Sequence, residues 1–405
     1  MRRSDAVLLA TYLGLVTSTM GFLQPFLSLY MDAGGLTRTE IGVCQGLGAA
    51  LALLVQPVLG RWSDRLDARR PFVAASALLA MGSYLAFPYA RGFGQFAVLA
   101  ALGANGLVYL NAAGAVMIGR MVQARTGGAA YANLRVWGSI GYIVVSVISG
   151  ALVGPRLAAG REGLEPVFRL GPFLFLVIAG LAFFLPDAKR LDASAKPGRA
   201  PMTANLRFFL ISFGLYNLAL YGATGFLPIY LKALGATGPW ITWAFAGGVI
   251  IEVLVMRQSG RLSDKYGRRP LLAAAFVLLP IRLMLYVPAT GPAWVVAVQA
   301  LHGINFGIVG AVAVAFSNDL ATDGSRGHAQ SRLAVTQGLA SAIGPLVFGI
   351  VAQQANLQWM FAMAGFVAAI AAWVLLSKVE DSHPEPHPLS KRLQWLSTPR
   401  VRKAP

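Results

Sequence analysis

Long apolar stretches alternate with short polar segments along the whole chain. Each apolar stretch has about 18 residues or more, enough to cross a bilayer core of about 30 Å as an α-helix. The basic start of the chain and its long first apolar run indicate a retained span and not a cleaved signal peptide. We therefore predict twelve spans, numbered 1 to 12, over residues 6–31, 39–60, 71–90, 95–120, 132–154, 167–186, 206–231, 239–259, 270–288, 293–318, 331–353 and 357–377.

Composition supports a membrane protein over a nucleic-acid-binding one. The 405 residues are 56% hydrophobic and 12% charged, against about 25% charged in a soluble domain. The formal charge of +18 lies in the loops between the spans, where basic residues set topology. We predict the lipid bilayer as a partner and no nucleic acid. The single cysteine, Cys44, excludes an intramolecular disulfide.

The loops indicate an orientation. With the N-terminus placed in the cytoplasm, basic residues cluster on the cytoplasmic side, as the positive-inside rule requires. The cytoplasmic side then holds Arg61, Arg65, Arg69, Arg70, Arg120, Arg125, Lys189, Arg190, Lys196, Arg199, Arg261, Lys265, Arg268, Arg269, Arg326 and the basic residues of the tail. We predict a multi-pass protein of a cell membrane, the bacterial inner membrane, with both termini cytoplasmic.

An internal repeat divides the chain into two parts. "GRWSDRLDARRPF" begins at Gly60 and "GRLSDKYGRRPLL" at Gly260, each after the second span of its half. This predicts an all-α fold of two pseudo-symmetric six-helix bundles. The predicted bundles are 1–186 and 206–377, joined by a cytoplasmic linker, 187–205, and followed by a polar tail, 378–405, predicted to be disordered.

The repeated segments resemble the loop signature of the major facilitator superfamily, Gly-x-x-x-Asp-(Arg/Lys)-x-Gly-(Arg/Lys)-(Arg/Lys). The second copy fits fully, whereas the first departs at residues 67–68. Glycine lets helix ends approach closely, and Asp pairs with a loop Arg or caps a helix. A topology anchor alone would explain only the basic residues. We predict a conformational latch formed by Gly60, Asp64, Arg65, Gly260, Asp264, Lys265, Gly267 and Arg268.

Ionisable residues inside the spans are candidates for function, because each costs at least about 2.5–3.5 kcal/mol at mid-membrane. Glu252, Arg282 and His302 lie about 20, 18 and 14 Å from the start of spans 8, 9 and 10. At like depth they offset one another's cost, and an imidazole and a carboxylate exchange protons near neutral pH. The alternatives are a structural Arg282–Glu252 pair, a His302 hydrogen bond to a neighbouring helix, and an Arg135 that reaches the interface.

The span-5 sequence "RVWGSIGY" resembles the lactose-permease-like group of this superfamily, the proton symporters for oligosaccharides, nucleosides and phenylpropionate. The resemblance implies that Arg135 lies in a substrate cavity and that Glu252, Arg282 and His302 belong to its binding and proton-coupling network. Two departures matter. Asn305 stands where the group carries a coupling Glu, and "LNAAGAVMIGR" of span 4 lacks the Glu that pairs with the Arg.

The resemblance implies a secondary transporter that works by alternating access, with Glu252 and His302 as the proton-coupling residues. An Arg135 without an acidic partner suits an anionic cargo, so we predict proton symport of a small organic acid, with aromatic acids among the candidates. The alternatives are a sugar or nucleoside symporter, proton-driven efflux of hydrophobic compounds, and a membrane sensor or partner subunit. We predict a monomer that is not an enzyme and holds no cofactor or metal. The predicted substrate-binding residues are Gln24, Asn111, Arg135, Asn217, Tyr221, Glu252, Arg282, His302 and Asn305.

Overall fold

A computed structural model describes residues 3–66, 69–123, 128–185, 202–321 and 325–382, and in these residues the chain forms helices and no strand. Twelve of the helical segments are long and apolar enough to cross a membrane, which confirms the predicted spans. A helix suits the bilayer because it pairs its backbone polar groups internally. In order, the spans are Arg3–Ala33, Arg38–Arg65, Arg69–Leu85, Phe93–Gln123, Gly128–Val153, Arg161–Leu170 with Phe173–Ala182, Ala204–Thr224, Gly238–Tyr266, Arg268–Tyr286, Pro292–Asp319, Arg326–Gln354 and Leu357–Lys378. Short helices Phe87–Tyr89, Gly154–Ala159 and Leu227–Ala233 extend spans 3, 5 and 7.

The helices pack in two groups. In the first half (spans 1–6), span 1 lies against span 5, and span 4 against spans 2 and 3. In the second half (spans 7–12), span 8 lies against span 10, span 9 against span 12, and span 7 against spans 11 and 12. Small residues permit this close packing. A Cβ atom at Gly21, for example, would lie 2.6 Å from the carbonyl oxygen of Tyr142.

The halves meet at one end of the bundle, which we call the closed end. There spans 2 and 11 bring Gly42 against the backbone of Pro345, and spans 5 and 8 bring Gly150 against the side chain of Thr242. The Arg38 guanidinium also donates a hydrogen bond of 2.8 Å to the carbonyl oxygen of Ala352. These contacts seal the space between the halves at this end.

At the opposite end, which carries the repeated loops and which we call the loop end, the halves stand apart. A Cβ atom at Gly60 or Gly260 would meet no other atom within 4 Å. The close approach predicted for these two glycines is therefore absent from this conformation, because the described parts of the two bundles lean together at the closed end and stand apart here.

Several predicted boundaries shift. Span 6 begins at Arg161 and not at residue 167, because the Arg161 guanidinium folds inward and donates to the carbonyl oxygens of Pro88 and Ala90. The predicted tail from 378 to 405 is ordered at its start, where Arg269 donates to the carbonyl oxygen of Val379. The predicted linker, 187–205, overlaps span 7 at its end. Its residues up to 201, and the tail from 383, lie outside the described residues.

Candidate functional site

Glu252 is the central residue of the span-8 helix, about 21 Å from either end at 1.5 Å per residue. Its side chain is half-buried. It lies within electrostatic range of the hydroxyl groups of Tyr142 on span 5 and Tyr221 on span 7. The carboxylate therefore sits where the first half, span 7 and span 8 face one another at mid-membrane.

Both tyrosines are held by amide side chains from other helices. The Tyr142 hydroxyl donates to Oε1 of Gln24 on span 1 at 2.9 Å. Gln337 on span 11 donates from Nε2 to the Tyr221 hydroxyl at 2.6 Å. We call these four residues, together with Glu252, the central cluster: Gln24, Tyr142, Tyr221, Glu252 and Gln337. Because its members come from both halves, relative motion of the halves must rearrange it.

A second polar group, the buried cluster, lies inside the second half. Nη1 of Arg282 is 2.7 Å from Nδ1 of His302, and the two residues are 1% and 7% exposed. Arginine has donors only and stays protonated in proteins, so Nδ1 of His302 accepts this hydrogen bond. The proton of the neutral ring then resides on Nε2. The hydrogen bond of Arg282 thus goes to His302, which is the partner that the alternative of a His302 hydrogen bond to a neighbouring helix requires.

Aromatic and amide groups complete the buried cluster. Tyr216 stacks on Phe276 with ring centroids 4.4 Å apart, and its hydroxyl lies beside the Asn305 amide and within electrostatic range of Arg282. Asn305 is fully buried and donates to the carbonyl oxygen of Ala275 at 2.6 Å. The uncharged polar groups around Arg282 reduce the cost of burying its charge.

Spans 8 and 10 connect the two clusters through glycines. A Cβ atom at Gly248 would lie 3.3 Å from Cδ2 of His302, and one at Gly303 would lie 2.6 Å from the backbone nitrogen of Glu252. The Gly-x-x-x-Gly pair of Gly303 and Gly307 thus packs span 10 directly onto the turn that carries Glu252. A shift of either helix would displace both clusters together.

The remaining predicted site residues lie apart from these groups or bond locally. Asn217 is buried and donates to the carbonyl oxygen of Phe213 in its own helix. Asn111 likewise donates to the carbonyl oxygen of Leu107. Arg135 lies about two turns into the span-5 helix, which begins at Gly128, but its side chain is outside the described part of the chain.

The predicted latch residues make contacts within each half. Asp64 forms an ion pair with Arg69, as expected for an acid that takes a loop arginine. In the second copy, Arg268 pairs with Asp319 at 2.8 Å. Gly267 has φ = 94°, a left-handed backbone that favours glycine over other residues. Arg65, Asp264 and Lys265 are exposed at the loop end.

Sequence reasoning missed Tyr142, Gln337 and Tyr216. Tyr142 ends the "RVWGSIGY" motif and follows Arg135 by seven residues, which places both on one helical face. That spacing was a usable signal. Gln337 and Tyr216 lie in helices that carry several other polar residues, and nothing in the sequence distinguishes them from residues that bond to their own backbone.

Comparison with known proteins gives a consistent picture. The model of the MFS_1 like family matches residues 7–363. An uncharacterized MFS-type transporter of Mycobacterium tuberculosis is 27% identical over 378 residues, covering 86% of this chain and 84% of its own length. A "Putative sugar efflux transporter" of Deinococcus radiodurans is 26% identical over 386 residues, covering 90% and 94%.

A solved structure shares the architecture. The D323A mutant of the nucleoside transporter NupG superposes with a TM-score of 0.79 at 14% identity, covering 92% of this chain and 99% of its own. At that identity the likeness shows the fold alone. Together with the family match, it confirms the resemblance to the major facilitator superfamily drawn from the repeated loops.

Proposed function

Because the chain belongs to the MFS_1 like family and spans the membrane repeatedly, we propose that this transporter couples the movement of a small polar solute to protons. The observation that carries the proposal is the central cluster. A mid-membrane carboxylate, Glu252, faces tyrosines of spans 5 and 7 that are oriented by amides of spans 1 and 11. A carboxylate at this depth is costly, so its presence there favours a role in transport.

The two ends of the bundle support alternating access. The loop end carries the basic residues, so the positive-inside rule favours a cytoplasmic loop end. On that orientation the described conformation is open to the cytoplasm and sealed at the outer face. Transport then requires the halves to rock about the central cluster, so that the closed end opens as the loop end closes.

Glu252 is the proposed proton carrier. A charged carboxylate at the bilayer centre costs about 2.5–3.5 kcal/mol on insertion scales, and protonation removes most of that cost. The protonated form therefore favours conformations in which water is excluded from the cluster. His302 accepts a hydrogen bond from Arg282, so its protonation would break that bond. This hydrogen bond supports a coupling proton on Glu252 and a positioning role for His302 and Arg282 through spans 8 and 10.

The cluster favours a hydroxylated cargo, such as a sugar or nucleoside. Apart from Glu252, its groups are the phenols of Tyr142 and Tyr221 and the amides of Gln24 and Gln337, which hydrogen-bond hydroxyl groups without requiring charge. The relative described by its name as a sugar efflux transporter agrees with this class. The organic-acid cargo rests on Arg135 and stays a prediction.

Transport by the purified protein in proteoliposomes tests the proposal. A panel of labelled sugars, nucleosides, aromatic acids and a hydrophobic cationic dye is offered with and without an imposed pH gradient. We expect saturable, gradient-dependent flux of a hydroxylated solute. The Tyr142→Phe/Tyr221→Phe variant should lose most of it, because one phenol hydroxyl contributes about 1 kcal/mol to binding.

Tyr89→Phe is the matched control, because Tyr89 is 74% exposed on the outer surface and should leave the flux unchanged. If aromatic acids are the only solutes transported, the hydroxylated cargo is wrong and an anionic cargo replaces it. Flux that ignores the pH gradient would contradict proton coupling.

A further inference from the structure

A groove of about 420 Å³ runs between spans 7 and 11 on the side of the second half away from the central cluster. Leu339 of its wall follows Gln337 by two residues, about 200° of rotation on an α-helix. Since Gln337 bonds to Tyr221 of the central cluster, the groove opens on the opposite side. The residues that line it include Arg207, Ile211, Gly214, Thr336, Leu339 and Ile343.

The walls of the groove are apolar and exposed. Ile211, Leu339 and Ile343 are 46%, 48% and 48% exposed, which in a membrane-spanning chain places them against lipid. Gly214 keeps the groove open, because a Cβ atom there would lie 3.0 Å from Cγ2 of Thr336. A longer side chain at this position would fill the floor.

Two arginines lie at the loop end of the groove. Arg207 lines it directly, and Arg332 lies one helical turn before Thr336 on the same face of span 11. Arg207 lies over the ring of its neighbour Phe208 at 5.6 Å. Within the part of the chain that the structure describes, neither guanidinium forms a hydrogen bond or an ion pair with another side chain. The groove thus has a cationic head and an apolar body.

The length of the groove matches one leaflet of a bilayer. Spans 7 and 11 run in the same direction from the loop end. The rise from Arg207 to Leu218, and from Arg332 to Ile343, is about 16 Å in each case at 1.5 Å per residue. Half of a hydrocarbon core of about 30 Å is the same distance. An acyl chain entering beside the arginines would reach the bilayer midplane at the far end of the groove.

We propose that this groove binds one anionic phospholipid. Its phosphate pairs with Arg207 and Arg332, since guanidinium forms paired, charge-assisted hydrogen bonds with phosphate. One acyl chain lies along Ile211, Leu339 and Ile343. Among the described residues neither cation has a protein counter-charge, which favours a lipid of net negative charge over a zwitterionic one. The bound lipid braces spans 7 and 11, which present Tyr221 and Gln337 on their other side.

Native mass spectrometry of the full chain in detergent, titrated with dioleoylphosphatidylglycerol or dioleoylphosphatidylcholine, tests the site without measuring transport. We expect one phosphatidylglycerol bound in preference to phosphatidylcholine. The R207Q/R332Q variant should bind it roughly 30-fold more weakly, about fivefold for each lost charge near the membrane surface. R326Q is the control, because Arg326 is exposed at the same end of span 11 but faces another side of the helix.

A second variant, Gly214→Leu, keeps both arginines and fills the groove. It should also lose phosphatidylglycerol binding, and a thermal-unfolding scan shows whether each variant is folded. If one variant does not fold, the other decides. Unchanged phosphatidylglycerol affinity in R207Q/R332Q, or equal affinity of the wild type for the two lipids, overturns the proposal. If folded Gly214→Leu still binds phosphatidylglycerol, the acyl chain does not lie in the groove and that part of the proposal is wrong.

Discussion

The closed end depends on glycines of span 2, and replacing them is expected to open it. A Cβ atom at Gly42 would lie 3.0 Å from the carbonyl carbon of Pro345 and would overlap its oxygen, and one at Gly46 would overlap the carbonyl oxygen of Ala342. These are backbone atoms of span 11, which cannot rotate aside. The G42A/G46A variant therefore raises the free energy of the conformation that is sealed at this end.

The size of the effect follows from the packing. Overpacking costs about 1–3 kcal/mol at each site, hence about 2–6 kcal/mol for both. The opposite conformation separates spans 2 and 11 at this end and avoids the clash. Alanine also favours the helix over glycine by about 1 kcal/mol, so the helix itself is not weakened. A shift of about 5.5 kcal/mol converts a 1:99 population into 99:1, so we expect a variant that is largely open at this end.

Labelling of an engineered cysteine measures the change. Cys44 is the single cysteine of the chain, so Cys44→Ser provides a cysteine-free background. Thr242→Cys then places a thiol at a site that is 1% exposed and packed on Gly150 at the closed end. We expect this thiol to react with a maleimide at least about tenfold faster in G42A/G46A, in line with the population shift.

Gly82→Ala is the control for this prediction, because a Cβ atom at Gly82 would meet no other atom within 4 Å. It should leave the labelling rate unchanged. Equal labelling of Thr242→Cys with and without G42A/G46A, in protein that unfolds at the same temperature, would refute the assignment of spans 2 and 11 as the seal.

Three further outcomes are expected. Arg38→Ala removes the hydrogen bond to Ala352 and should speed labelling of the same reporter about fivefold, since such a bond contributes about 1 kcal/mol; an unchanged rate contradicts this. Arg282→Met leaves buried His302 without its donor and should lower stability by about 1–3 kcal/mol, seen as a lower melting temperature. Gly303→Ala should separate spans 8 and 10 at a cost of about 1–3 kcal/mol and slow transport; wild-type transport rates would exclude that contact as important.

The spans were predictable from the sequence because the membrane imposes one dominant rule on them. A helix in lipid must be long and apolar, and that requirement is visible residue by residue. The residues at which each span begins and ends were less predictable. The charge of Arg161 predicts a loop residue, yet its guanidinium lies inside the first half, where it donates hydrogen bonds to backbone carbonyls and packs on an aromatic ring.

The mid-membrane charges were predictable as a group, because each is costly in lipid. Their partners were not, because partners depend on how each helix is rotated about its axis. Depth alone placed Arg282 near both Glu252 and His302, and only the rotation of span 9 directs the guanidinium to His302. The same limit hid Gln337, which looks like Asn217 in sequence although one bonds across helices and the other to its own backbone.

The repeated loops show a further limit of sequence patterns. Gly60 and Gly260 predict close approach, yet both face open space in this conformation. The sequence of a transporter must allow close helix packing in two conformations. In any one conformation only some of its glycines are therefore closely packed. The glycines of the closed end, Gly42 and Gly46, are packed here, and we expect the loop-end glycines to be packed in the opposite state.

The most direct test of proton coupling through the central cluster is Glu252→Gln in proteoliposomes. Glutamine keeps the size and hydrogen-bonding shape of the protonated acid but cannot release a proton. We predict that the variant loses accumulation of substrate driven by a pH gradient while it still exchanges labelled for unlabelled substrate across the membrane. Glu165→Gln, which alters an acid paired with Arg169 near the closed end, should retain both activities. Accumulation against a gradient by Glu252→Gln would contradict the assignment of Glu252 as the proton carrier.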